Sequence, residues 1–265
     1  MLTNYHTHST FCDGKSTIEE TVLSAIEKGF RVLGFSGHGY TDFDDRYCMQ
    51  DTEGYIAEVL RVKEKYKDKI EILLGIEEDM RQPVDRGRYD YIIGSSHYSF
   101  SGERFYDVDG SPEGFEKGIA AWGDPVSYAE DYYKNFCEYI LRRKPDIIGH
   151  FDLLTKFDEH LGGGFAAMPE YRKLSLRYAK IAAGAECVFE VNTGAIARGW
   201  RTTPYPSEDI LHVLKCEDAK IMLNTDCHHA DNLTCHRDEA LALIKDIGFT
   251  ELYHLTGGEW VKERI

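Results

Sequence analysis

The feature that most constrains this chain is a repeated order: a short apolar run, a polar turn, then a longer amphipathic stretch. The runs are Leu2–Tyr5, Val32–Ser36, Ile70–Gly75, Tyr89–Gly94, Asp146–Gly149, Cys187–Val191 and Lys220–Asn224, with a weaker one at Leu252–Leu255. Runs of this length read as buried strands, and the stretches between them as helices. Helix-boundary residues agree. Ser16 with Glu19 and Ser127 with Glu130 have the spacing of capping boxes, and Gly29 supplies a stop. Pro169 suits the first turn of a helix running to about Gly184, Ser207 opens another toward Leu214, and Asp238–Ile247 ends at Gly248. Strand and helix alternating seven or eight times in this way predict an α/β fold, a closed parallel barrel ahead of an open doubly wound sheet. No repeat or Pro/Ser-rich linker divides the chain, so residues 1–265 are expected to form a single domain. The polar, glycine-rich stretch Ser99–Pro125 reads as a large loop beside a site.

Composition narrows the function. Lys and Arg total 31 against 46 acids, a formal net charge of −15. That field repels nucleic acid and anionic membranes, and leaves small anions to bind only where local cations prevail. Seven cysteines include no CxxC pair. No leader-like segment opens the chain, and no apolar run approaches the ~20 residues of a membrane span. A reducing cytoplasm with free thiols is the expected location.

The histidines then fall into place. His6 and His8 follow the first run, His38 the second, His97 the fourth, His150 the fifth, and Asp226 with His228 the seventh; Glu77 holds the equivalent place after the third. In parallel α/β folds the C-terminal strand ends share one rim, where such side chains become neighbours. Residues i and i+2 of an extended chain face the same way, so His6-x-His8 and Asp226-x-His228 can each offer two donors to one cavity. Imidazole with carboxylate suits zinc, manganese or iron, and with Asp13 the donors exceed what one ion can use. A lone histidine after a strand is more often a hydrogen-bonded turn residue; its recurrence around a rim reverses those odds. His160, His212, His229, His236 and His254 lie off the rim positions and read as surface or packing residues.

On these residues the chain resembles the polymerase-and-histidinol-phosphatase (PHP) superfamily, and within it the monofunctional histidinol-phosphate phosphatases. The ordered set is Tyr5-His6-Thr7-His8 with Cys12-Asp13-Gly14, Gly37-His38, Gly75-Ile76-Glu77, Ile93-Gly94-Ser95-Ser96-His97, Gly149-His150-Phe151-Asp152 and Thr225-Asp226-Cys227-His228. The resemblance implies a distorted (β/α)7 TIM-like barrel with two to three divalent ions at the C-terminal rim of its strands. By position, His6, His8, Glu77 and Asp226 would hold one ion. Glu77 would bridge to a second on His97 and His150, and Asp13, His38 and His228 would hold a third. Asp13 stands where many relatives carry histidine, and Gly37 where an acid is common.

Clustered divalent ions lower the pKa of bound water toward about 7 and hold phosphoryl oxygens. The expected reaction is therefore attack on a phosphomonoester by a hydroxide bridging two metals, with Glu77, Asp226 and Arg198 as the catalytic set. Arg198 is the expected phosphate clamp, with Lys156 or Arg201 as a second cation. Acids of the Ser99–Pro125 stretch, including Glu103, Asp107 and Asp109, are placed to meet an ammonium or imidazolium group. Together these features suggest hydrolysis of a small phosphorylated metabolite, L-histidinol phosphate above others, in histidine biosynthesis. The competing readings are a phosphoesterase for nucleotides, oligonucleotide ends or phosphotyrosine, a metal-dependent amidohydrolase, and a non-catalytic metal-stabilised binding module.

Overall fold

The computed structural model describes residues 1–162 and 164–265. In chain order the elements begin with β1 (Thr3–Asn4), α1 (Ile18–Glu27), β2 (Val32–Phe35), α2 (Thr52–Tyr66), β3 (Glu71–Asp79) and β4 (Tyr91–Ser95). Next come β5 (Tyr98–Ser101), β6 (Arg104–Asp107), α3 (Pro112–Trp122), α4 (Pro125–Arg143), β7 (Ile147–Ile148) and α5 (Pro169–Ala183). The chain finishes with β8 (Val188–Asn192), α6 (Gly194–Ala197), α7 (Glu208–Cys216), β9 (Lys220–Asn224), α8 (Arg237–Ile247), β10 (Glu251–Thr256) and β11 (Glu259–Arg264).

All seven principal runs enter one sheet, in the order β1-β2-β3-β4-β7-β8-β9, with every neighbouring pair parallel. The sheet curls until its edges meet. Thr7 pairs with Cys227 just beyond β1 and β9, the His8 amide donating to the Cys227 carbonyl and the Cys227 amide to that of His6. Below this point two side chains do the joining: the Tyr5 amide donates to Asn224 Oδ1 and the Thr225 amide to Asn4 Oδ1. This is the expected distorted barrel, with one seam stitched by asparagines.

Period-two alternation fills the interior. Val32, Leu73, Tyr91, Ile147, Val188 and Met222 form an apolar floor with Tyr5 and Leu255. Tyr91 lies across it because β2 and β3 carry Gly34 and Gly75 there; a Cβ on Gly75 would come within 2.2 Å of the ring. Outside, α1 and α2 pack Val22, Tyr55, Val59 and Val62 on Leu33, Phe35, Ile72 and Leu74. On the other flank α4, α5, α7 and α8 pack Phe136, Leu174, Leu211 and Ile244 against Ile148, Phe189 and Ile221.

Several expectations are corrected. The capping box of α1 is Thr17 with Glu20, one residue later than Ser16 with Glu19, because Ser16 instead turns inward to accept from the Ala230 amide. Helix α4 begins at Pro125, capped by Asp124, so Ser127 lies inside its first turn. Ser207 does precede α7, but its side chain makes no cap bond. The supposed Ser99–Pro125 loop holds most of the antiparallel hairpin β5–β6 and helix α3, whose Ser111 cap and following Pro112 are ordinary start signals. Leu252–Leu255 lies in β10, antiparallel to β11 and outside the barrel sheet. Helix α2, which buries Tyr55, Val59, Val62 and Tyr66, was not among the expected helices, although that spacing is helical.

Candidate metal centre

Above the apolar floor the inward positions turn polar. Along β3 the same face carries Leu73, Gly75, Glu77 and Asp79, so alternation alone lifts a carboxylate into the mouth. Glu78, one residue out of phase, points the other way and is bound by Arg143 and the Tyr139 hydroxyl. His38 is drawn level with Glu77 by the pairing of their backbones beyond β2. His97 and His150 follow β4 and β7, and His6, His8, Asp226 and His228 stand on the two sides of the seam.

The nine expected ligands meet. Glu77 Oε2 lies 2.9 Å from His38 Nδ1, 3.3 Å from His6 Nε2 and 3.6 Å from His8 Nε2. Its other oxygen is 3.0 Å from His150 Nε2 and 3.2 Å from His97 Nε2. Asp226 Oδ1 is 3.1 Å from His8 Nε2, 3.4 Å from His228 Nδ1 and 3.7 Å from His6 Nε2. Asp13 reaches His228 Nε2 at 3.2 Å and His38 Nε2 at 3.7 Å. Four overlapping groups have all donor atoms within 4.8 Å: His8/Asp13/His38/His228, His6/His8/Glu77, His6/His150/Asp226 and His38/Glu77/His97. The partition differs in detail from that expected, since His8 also joins the Asp13 group and His38 the Glu77–His97 group.

Electrostatics and hydrogen bonding both say what is missing from such a cluster. Burial opposes ionisation of Glu77, yet His6, His38 and His97 hold it well below the usual carboxylate range. Asp226 is held down likewise, against burial, by Arg198 and His6. Burial and the neighbouring rings of His228 and His38 push His8 down to about 3, keeping it neutral and able to donate a lone pair. Among the described residues, His6 Nε2, His8 Nε2, Glu77 Oε2, Asp226 Oδ1 and Asp13 Oδ1 are buried without a hydrogen-bond partner. Unpartnered buried polar atoms are costly, and five aimed at one another fit cations that would satisfy them together.

Supporting groups surround the donors. Glu190 Oε2 is 2.9 Å from His6 Nδ1, while Oε1 accepts from the His150 amide and from Asn192. Asp79 accepts from the His97 amide at 3.3 Å and faces its Nδ1 at 3.8 Å. The pairing of Glu190 with Asn192 was visible as an in-phase motif, but its link to His6 and His150 was not.

The cations divide. Arg198 and Lys156 both line a cavity of about 420 Å³ above the cluster, as does Lys15, a cation that no motif in the sequence marks. Arg198 holds Asp226 Oδ2 at 3.0 Å and lies 3.0 Å from His228 Nδ1. Lys156 Nζ is 3.0 Å from the Asp109 carboxylate. Arg201 lines a neighbouring cavity, bound to Thr155 and Thr203 and stacked over Tyr205. Asp107 and Asp109 border the mouth, whereas Glu103 is exposed at the turn of the β5–β6 hairpin. His160, His212 and His236 are at the surface, His229 is exposed but lines the cavity above the cluster beside His228 instead of facing away from it, and His254 is buried at the opposite end of the barrel against Thr3.

Known proteins share this design. A Schizosaccharomyces pombe protein named "Probable histidinol-phosphatase" is 28% identical over 97% of this chain and 90% of its own length. The histidinol-phosphatase of Lactococcus lactis is 26% identical over 96% of this chain and 94% of its own. The crystal structure of the Lactococcus lactis histidinol phosphate phosphatase, complexed with zinc, L-histidinol and phosphate, superposes with a TM-score of 0.74 at 22% identity, covering 98% of each chain. That likeness fixes the fold. The PHP domain model matches residues 4–194, most of the sequence and all but the last two of the nine converging donors; this chain belongs to the PHP domain family.

Proposed function

We propose that this chain is a metal-dependent phosphomonoesterase that hydrolyses L-histidinol phosphate to L-histidinol and phosphate. The observation that carries the reading is the set of buried, unpartnered nitrogen and oxygen atoms of His6, His8, Asp13, Glu77 and Asp226 converging beneath an open cavity. The substrate is proposed from the curated relatives named histidinol-phosphatase and the ligands of the Lactococcus lactis structure. Bound divalent ions supply a nucleophile at neutral pH and neutralise phosphoryl oxygens.

The chain's own groups have separate tasks in this proposal. His6, His8, Glu77 and Asp226 would hold one ion, Glu77 with His97 and His150 a second, and Asp13, His38 and His228 a third, with His8 and His38 near enough to be shared between neighbouring sites. Zinc is the first choice, and the donor set also suits manganese or iron. Arg198 fixes Asp226 and presents its guanidinium to the incoming phosphate. Lys156 is the better-placed second cation, since Arg201 faces the adjacent cavity. We further propose that residues 1–265 act as one catalytic domain on a small metabolite and not on nucleic acid, which the net charge of −15 repels. A cytoplasmic site is proposed from seven free thiols; no helix among the described residues is long and apolar enough to cross a membrane.

Phosphate release from a panel of phosphomonoesters, a phosphodiester and an amide, with metal-loaded protein, tests the reading. L-Histidinol phosphate should be hydrolysed far faster than generic monoesters, and His97→Ala should abolish nearly all turnover. Faster cleavage of the diester or amide, or full activity in H97A, would overturn it.

A further inference from the structure

Beside the metal chamber lies a second cavity of about 380 Å³, sharing Asp13, His38, His97, Asp109 and Lys156 with it. Its outer walls come from the segment after β2 and from the β5–β6 hairpin. Its size suits a small organic group, and its lining is charged and aromatic. We infer that Asp107 is the carboxylate that receives the ammonium group of the alcohol half of the ester, and that Arg46 occupies that position until the substrate displaces it. The inference rests on the phosphomonoesterase reading and names the specificity residues of that site.

Four carboxylates border this cavity, and they are not equally committed: Asp13 belongs to the metal cluster, against His228 and His38. Asp44 is buried and saturated, accepting from the Arg46 amide at 3.1 Å, from Arg46 Nε at 2.7 Å and from the Tyr98 hydroxyl at 2.7 Å. Asp109 is engaged by Lys156 at 3.0 Å. Asp107 has a weaker tie, both oxygens lying 3.1 Å from the single Nη2 of Arg46, whose side chain is 64% exposed. An exposed pair of this kind contributes little and exchanges readily for another cation. Space for that exchange is the cavity itself, which Asp107 lines; Gly110 packs close behind the carboxylate, where a Cβ would come within 2.8 Å of Oδ2.

The remaining charges set the ligand class. With Asp13 turned to the metal cluster, Asp44, Asp107 and Asp109 outnumber Arg46 and Lys156 by one, so the wall beyond the cluster favours a cationic occupant. Tyr47, edge-on to His38 at 4.6 Å and 5.8 Å from Tyr98, gives the same cavity an aromatic wall. A protonated amino alcohol with a flat ring meets both surfaces while its phosphate reaches the metal chamber. Arg46 also spans Asp44 and Asp107, so its displacement would remove one tie between the hairpin and the segment after β2 while the Tyr98–Asp44 bond and the packing of Phe43 on Tyr98 keep the two together.

The test compares kcat/KM for L-histidinol phosphate with that for glycerol 3-phosphate, whose alcohol is uncharged, in metal-loaded wild type, Asp107→Asn and Arg46→Gln. The ratio of the two should fall tenfold or more in D107N through a raised KM, and rise about threefold or more in R46Q, where the competing cation is gone. Ratios within twofold of wild type in both variants would overturn the assignment. Arg46 is exposed, so R46Q keeps the question open to measurement even if D107N does not fold. Absence of phosphate release from either ester would instead overturn the phosphatase reading. Calorimetric titration with L-histidinol then decides the assignment separately: binding tenfold weaker in D107N supports it, and equal binding sinks it.

Discussion

Glu190 lets one carboxylate aim two donors at once. Receiving the Nδ1–H of His6 at 2.9 Å leaves Nε2 of that ring as a lone-pair donor toward the mouth, and the His150 amide at 2.7 Å fixes the backbone of a second. Asn192 and Asn224 hold the carboxylate in turn. Loss of such an outer partner typically costs about 10–100-fold in metal affinity. Glu190→Gln should therefore bind the first ion about 10–100-fold more weakly in a metal titration while keeping the fold by circular dichroism. Arg198→Ala should lower phosphate-ester turnover well beyond any loss in thermal stability, and unchanged kinetics would remove it from the site. At this scale the histidines were legible because strand ends and the i,i+2 rule restrict where such side chains go, whereas Glu77 stood out from Glu78 and the in-phase Asp79 only through the Gly75-Ile76-Glu77 motif of the family resemblance. Glu190 was legible only as a polar residue in phase with Asn192, since its partners come from other strands. Arg198 and Arg201 looked alike in sequence; the short turn α6 and the contacts with Thr155 and Thr203 send them to different cavities.

Elements were legible wherever burial imposed a strict period. The seven parallel strands fell within a few residues of their apolar runs, and β3 outran its prediction because Glu77, Glu78 and Asp79 go on pairing with β4. Boundaries set by single side-chain bonds were harder, since Ser16 and Thr17 are equally good caps until Ser16 finds Ala230. The β10–β11 hairpin could not be distinguished from another barrel strand by periodicity, yet it closes the floor, with Tyr5 Oη donating to the Leu255 carbonyl. His254 on β10 carries a pH dependence. Burial lowers its pKa below 6.5, against the opposing pull of Glu263. The unfolded chain therefore takes up that proton more readily, and stability falls as pH drops below about 6.5, by at most about 1.4 kcal/mol per unit. Urea unfolding at pH 7 and pH 5.5 should show a larger loss in wild type than in His254→Gln.

The whole molecule divides into an apolar lower barrel and an unsatisfied polar upper one, so stability and cofactor are linked. If ions are present at about 100 times their dissociation constant, removing one costs about 2.7 kcal/mol. For a chain of this size each kcal/mol moves Tm by about 2–4 °C, so chelation should lower it by about 5–10 °C per site. A calorimetric scan with and without chelator checks this; an unmoved Tm would separate the cluster from any ion. The asparagine-stitched seam gives the effect a location. His6 and His8 stand on one lip and Asp226 and His228 on the other, so a cation gripped from both sides is a rivet through the cylinder's last join. In stripped protein the amides of His8 and Cys227, which cross that join, should exchange with solvent sooner than those of the barrel's opposite wall. Loading the cofactor and locking the cylinder would then be one event.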